Sequence, residues 1–227
     1  MSSGELARVH AIVWKDLTAE RRTKANFNAV VFLAALILLM FGFALGPDHD
    51  ALREVAGGVL WLTILFSGVL SFNRSYEQEL DNGALDALLL YPGARRSIFI
   101  GKVLANLVFV LLVEVVMVPA AVVLYDIPVA GVLLPLAVVL FLGTLGFVTL
   151  GTFYAAMASR LRAREVLLPL LLFPMLAPLL LAAVQATKVI LAGDLMGQSG
   201  AWIRMLIVFD VIFIVGTLYA FRHVIED

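Results

Sequence analysis

The chain has 227 residues, of which 63% are hydrophobic and 15% charged, against about 25% charged in ordinary soluble domains. Together with a mean hydropathy of +1.04, this excludes a water-soluble fold, because a domain this small keeps a large share of its chain at the surface. Sixteen Lys and Arg against seventeen Asp and Glu leave a net charge of −1, too weak a basic field for a nucleic-acid binder, and the absence of cysteine removes disulfides, thiolate metal sites, iron–sulfur clusters and Cys nucleophiles together.

The first 26 residues read as an interfacial helix. Leu6, Val9, Val13 and Leu17 recur at intervals of three and four while Arg8, Lys15 and Thr18 fall on the other side. With Trp14 at the edge of the apolar face, this helix is expected to lie among lipid headgroups and to turn into the membrane near Lys24. A plain basic flank that serves only topology is the alternative. The first apolar run starts at Phe27, after Arg8, Lys15, Arg21, Arg22 and Lys24. It therefore reads as a retained span and not as a cleaved signal, whose basic start and apolar centre are both short.

Six stretches approach or exceed the roughly 20 apolar residues that cross a bilayer core as a helix: Phe27–Leu45, Val55–Phe72, Ile98–Tyr125, Val129–Ala158, Val166–Ala186 and Trp202–Phe221. The third and fourth exceed a simple crossing and must tilt or extend into water. Unbroken apolar runs such as Val30–Phe43 lack the alternation of barrel strands, so the fold class is an all-α integral membrane protein, one transmembrane domain over residues 1–227.

The loop of residues 73–97, between spans two and three, is the most informative polar stretch. Asn82-Gly83 stops a helix, because Gly enters the left-handed conformation without steric cost. Leu85, Leu88 and Leu89 then repeat at helical spacing until Pro92, beyond Tyr91. The expected shape is a helix descending from span two through Tyr76 and Glu79, a sharp turn, and a short amphipathic helix along the membrane surface. Glu77, Glu79, Asp81 and Asp86 make the loop acidic on a face that is otherwise basic. It is either a solvated acidic loop or a docking surface for a basic partner.

Several chemistries are missing. Gly101-Lys102 is followed by Val103 where a phosphate-binding loop needs Ser or Thr. His10, His49 and His223 lie outside the spans and offer no pair at ligand spacing for a metal or haem, and no Gly-x-Ser-x-Gly elbow is present. No catalytic residue, metal site or cofactor bound by this chain is expected. Glu114 in span three and Asp210 in span six are ionisable groups at a costly depth, which marks them as functional candidates; burial as paired or protonated structural groups is the alternative. Pro169, Pro174 and Pro178 each remove a backbone donor from span five, which is expected to be kinked or broken. Gly42-x-x-x-Gly46 and Ser67-x-x-x-Ser71 offer faces for close helix packing.

Six spans, the amphipathic N-terminal helix and the stretch Phe72–Pro92 resemble the CcmB family, permease-like subunits of the cytochrome c maturation (haem exporter) ABC transporter. The similarity runs through most of the chain. It includes Gly58-Val-Leu-Trp61, the acidic loop ending at Pro92, Lys102, Leu142-Gly-Thr-Leu-Gly-Phe147 and Leu167-Leu-Pro-Leu-Leu-Leu-Phe-Pro174. Where the family loop typically reads Asp-Gly-Ser-Leu-Glu, this chain has Asn82-Gly-Ala-Leu-Asp86; the glycine and the final acid are kept and the first acid is lost.

The resemblance implies a multi-pass subunit of the bacterial inner membrane that forms a homodimer and binds a separate ATPase, CcmA, in a two-ATPase, two-permease core. CcmC, CcmD and the haem chaperone CcmE are the further partners, with membrane lipid around the spans and no nucleic acid. ATP would be hydrolysed on the partner, so the chain itself is not expected to be an enzyme. Haem would be handled by the complex, and ATP would drive release of haem-loaded CcmE from CcmC. Direct haem passage, or a non-moving scaffold, is the alternative. The lack of span histidines and of a tryptophan-rich motif fits transmission of force better than holding of haem. The coupling loop would comprise Tyr76, Glu79, Asp81, Asn82, Gly83, Leu85, Asp86, Leu88, Leu89 and Tyr91.

Orientation follows the positive charges, since short loops rich in Lys and Arg stay in the cytoplasm. With the N-terminus inside, thirteen basic residues fall on the cytoplasmic side and only Arg53, Lys188 and Arg204 outside, so both termini are expected to be cytoplasmic. Single cysteines at His49 and Ser199 should therefore react with an impermeant thiol reagent added to intact cells, and cysteines at Ala94 and Ala163 should not. The reversed pattern would overturn the orientation.

Overall fold

A computed structural model describes residues 3–81, 94–128, 131–158, 164–194 and 196–224, with backbone alone at 3, 76–81, 94, 95, 164–168 and 222–224. Among the described residues seven helices form: α1 (Ser3–Thr23), α2 (Ala25–Leu45), α3 (His49–Asp81), α4 (Ala94–Leu124), α5 (Leu133–Ala158), α6 (Arg164–Leu191) and α7 (Ser199–Val224). There is no strand among the described residues. Helices α2 to α7 are long and apolar enough to cross a membrane, over 25–45, 49–75, 96–124, 133–158, 169–191 and 199–221.

Local chemistry sets the ends of the helices. α3 starts at His49, earlier than apolarity alone suggests, because Asp48 Oδ1 accepts from the backbone N–H groups of Asp50 and Ala51, both at 3.1 Å, which satisfies donors that a helix start leaves open. Asp194 performs the same service for α7. Its carboxylate accepts from the Gln198 N–H at 2.7 Å and from the Ser199 hydroxyl at 2.5 Å. Led by the Ser199 hydroxyl, these bonds hold it below the usual carboxylate range. α5 begins at Leu133 and not at Val129, since Gly131 adopts φ +82° just before it. α6 runs on to Leu191, past the polar Gln185, Thr187 and Lys188, because Thr187 is fully buried and its hydroxyl donates to the Ala183 carbonyl at 2.8 Å.

Pro169, Pro174 and Pro178 do not break span five: α6 is helical throughout. A proline in a membrane helix removes one donor, and neighbouring helices support the freed carbonyls; here α5, α7 and α3 pack along α6.

α3 and α5 form the centre. Within the most apolar stretch of α3, 72% of residues are buried, against 17% for α2. Helices α6, α7, α4 and α3 all contact α5. Lipid is as apolar as leucine, so spans associate through close packing and hydrogen bonds and not through escape from water. α5 supplies the close packing with glycines. A Cβ at Gly143 would strike the Trp61 ring, one at Gly151 the Phe72 ring, and one at Gly68 of α3 the Phe147 ring. Hydrogen bonds lock the seats: Trp61 Nε1 donates to Thr187 Oγ1 at 2.9 Å, and Tyr125 Oη to the Leu38 carbonyl at 2.9 Å. Of the small-residue pairs, Ser67 and Ser71 are buried and Gly42 packs against Leu124 and Tyr125, whereas Gly46 ends α2 at φ +65°.

Gly143→Ala should lower the melting temperature of the detergent-solubilised protein, by an overpacking cost of about 1–3 kcal/mol. Gly58→Ala should not, since nothing lies within 4 Å of a Cβ there. Equal melting of the two variants would remove the glycine seats as the packing determinant.

Candidate functional site

The chain turns between α1 and α2 at Lys24, whose φ of 53° is left-handed. The sequence places the turn at the same residue. Glu20 secures the corner: its carboxylate accepts from the Phe27 N–H at 2.7 Å. The face that α1 presents to the bundle differs from the one expected. Val9 and Ile12 are buried, while Leu6 and Trp14 are more than half exposed. The stripe of Leu6, Val9, Val13 and Leu17 is thus split, with Val9 and Ile12 turned to protein and Leu6 and Trp14 turned outward.

α1 lies along the start of α4. There Lys102, only 2% exposed, places its ammonium 2.9 Å from Asp16 Oδ2, an ion pair without hydrogen-bond geometry, and donates to the Ser75 carbonyl of α3 at 3.1 Å. Beside it is a cavity of about 40 Å³ lined by Asn26, Ser71, Arg74, Asn106 and Glu20 among others, polar and roomy enough for about two waters. Asn26 Nδ2 donates to Ser71 Oγ at 3.5 Å and Asn106 Nδ2 to Thr152 Oγ1 at 3.0 Å, so the polar lining continues from this end into the α3, α4 and α5 interface.

Both intramembrane acids face protein, each 4% exposed. Glu114 on α4 accepts from the Thr144 hydroxyl of α5 and lines a surface groove with Val115, Val118 and Phe141. Asp210 on α7 has no hydrogen-bond partner at either carboxylate oxygen among the described residues. Its side chain occupies the space a Cβ at Gly146 would need. Thr144 and Gly146 are two residues apart on α5 and point to different sides of it, so the two acids flank one helix and do not meet. Among the described residues no group of three His, Asp or Glu could hold a metal.

Of the expected coupling residues, Tyr76, Glu79 and Asp81 lie on the backbone of α3 beyond the membrane span, as the descending helix requires. Asn82, Gly83, Leu85, Asp86, Leu88, Leu89 and Tyr91 fall outside the described residues. Sequence reasoning overlooked Asp16 and Asn106, and noted Lys102 only as a position shared with a family. The signal was present in α1: on a helical wheel Glu5, Asp16 and Glu20 share one arc with Val9 and Ile12.

The architecture defines a multi-pass α-helical membrane protein with six spans and a surface helix clamped to one end of the bundle. A family model described as CcmB protein matches residues 7–227, and the chain belongs to the CcmB family. Heme exporter protein B of Rhodobacter capsulatus is 31% identical over 180 residues, covering 79% of this chain and 82% of that protein. Those of Paracoccus denitrificans and Haemophilus influenzae are 29% and 28% identical, over 78% and 76% of this chain and 81% and 77% of those proteins.

The different surroundings of the acids predict different costs. Glu114→Ala leaves the buried Thr144 hydroxyl without its acceptor, a penalty of about 1–3 kcal/mol, and should lower the melting temperature. Asp210→Ala removes an unpartnered buried polar group and should leave melting unchanged or raised. Loss of similar size in both variants would contradict the assignment.

Proposed function

We propose that this chain is the membrane-embedded, non-enzymatic permease subunit of an ABC complex for haem handling in cytochrome c maturation. ATP is hydrolysed on a separate CcmA-type subunit, and this chain couples that hydrolysis to release of the haem-loaded chaperone CcmE from CcmC. The observation that carries the reading is membership of the CcmB family over nearly the whole chain, joined by relatives named Heme exporter protein B. The reading places both termini in the cytoplasm of a bacterium and the spans in its inner membrane, with CcmD and a second copy of this chain in the assembly.

The geometry supports coupling more than cargo binding. A moving ATPase drives membrane helices only through a stiff contact, and α3, which leads up to residues 82–93, is one continuous helix from His49 to Asp81. The loop's Leu85, Leu88 and Leu89 supply an apolar stripe and its acids Asp81 and Asp86 supply orientation and a salt-dependent on-rate toward a basic partner.

Leu85→Asp and Asp86→Lys should each reduce co-purification of the ATPase and maturation of c-type cytochromes while leaving the chain in the membrane. Gly83→Val should do the same by opposing the turn, since a β-branched residue resists positive φ. If Leu85→Asp and Asp86→Lys both keep stoichiometric ATPase and full maturation, the loop is not the docking surface. A non-moving scaffold then explains the data better. Stimulated ATP turnover by the intact complex on adding haem-loaded chaperone would separate chaperone release from direct haem passage.

A further inference from the structure

The buried ammonium of Lys102 touches three helices at one point. It belongs to α4, pairs with Asp16 of α1 at 2.9 Å and donates to the Ser75 carbonyl of α3 at 3.1 Å. Ser75 ends the membrane span of α3 and Lys102 lies early in that of α4. These are the two helices that flank residues 82–93 in the chain. We propose that Lys102 and Asp16 are a positioning pair that staples α3 and α4, the helices that flank residues 82–93, to α1, so that α1 moves with these two helices and belongs to the coupling machinery. The inference rests on the coupling function proposed above.

Three further observations point the same way. α1 and α4 meet at Gly101, where a Cβ would lie 2.9 Å from Ile12 Cβ, an approach that only glycine permits without a shift. The second tie is the end of α1, bound to the first turn of α2 through Glu20 and the Phe27 N–H; α1 is thus held at both its middle and its end. Third, the charge pattern opposes a simple lipid anchor. A helix built only to lie on a membrane directs apolar residues inward and charge outward, yet α1 turns Asp16 and Glu20 toward the bundle, where both line the cavity beside Lys102. Acids on that face have a use if a buried cation must be met there, since a buried charge is tolerated only when paired.

The absence of cysteine from the chain allows a direct test in the intact complex. Lys102→Met is combined with Ile12→Cys and Gly101→Cys, whose Cβ atoms come within disulfide reach after a small separation. With the thiols reduced, the ATPase should co-purify at wild-type stoichiometry while cytochrome c maturation falls about tenfold, as removal of a coupling contact does. Closing the disulfide, followed by loss of maleimide-reactive thiols, should restore maturation, and dithiothreitol should abolish it again. Asp16→Asn, nearly the same shape, should show the same loss and the same rescue.

Full maturation in Lys102→Met, or a closed disulfide that does not rescue, would overturn the staple. If neither single variant accumulates in membranes, the cysteine pair in the otherwise native chain decides the matter: closure should leave maturation intact if α1 and α4 move as one body, and its loss on closure would overturn the proposal. Failure of the coupling function itself has a different signature, namely loop variants Leu85→Asp and Asp86→Lys that keep the ATPase and full maturation.

Discussion

Lipid tails solvate a leucine as well as another helix does, so the bundle depends on what lipid cannot provide: backbones close enough for aromatic rings to seat directly on them. α5 is where this happens. Its Gly143 and Gly151 receive Trp61 and Phe72 of α3, while its Phe147 presses on Gly68 in return. The interdigitation runs in both directions along one pair of helices, which makes α3 and α5 the axis about which α2, α4, α6 and α7 are arranged. The Trp61–Thr187 bond then ties α6 to the same axis.

The buried polar groups follow from that arrangement. Near the α1 end they are plentiful, with Lys102 set against Asp16, Asn26 bonded to Ser71 and Asn106 to Thr152 around or beside a small polar cavity, while Asp16 Oδ2 and Asn26 Oδ1 have no hydrogen-bond partner among the described residues. Deeper in the membrane they thin to Glu114 with Thr144 on one side of α5 and the unpartnered Asp210 on the other. At the opposite end the contacts are surface ion pairs: Arg53 with Asp126 at 2.5 Å and Lys188 with Glu54 at 3.3 Å. Exposed pairs of this kind contribute about 0–1 kcal/mol. The two ends of the bundle are therefore built differently, one around a buried charge and one around solvated charges, and the α1 end is the one near which Ser75 of α3 and Lys102 of α4 meet.

Six spans, the surface helix and the turn at Lys24 were legible in the sequence, because each is set by residues close together in the chain. A run of about 20 apolar residues needs no partner to be recognised as a crossing. Boundaries were less legible where a single polar side chain decided them, as Asp48 does for α3. For α6, one crossing over Val166–Ala186 was legible, but not whether its prolines kink or break it. Three prolines argue locally for a break, and the helices packed around α6 override them.

The sequence alone determined that the chain lives in a membrane, how many times it crosses and which residues are too polar to be there without a reason. Only the tertiary structure decided what those residues meet. Glu114 finds Thr144 on the next helix and Asp210 finds a glycine and no donor among the described residues, while Asp16, which the sequence did not single out, finds Lys102 on α4. Periodicity shows that a face of α1 is apolar, but it does not distinguish lipid from protein as the thing that face touches. That distinction depends on where Gly101 lets the two backbones approach, and such proximity between distant residues is a property of the packed bundle.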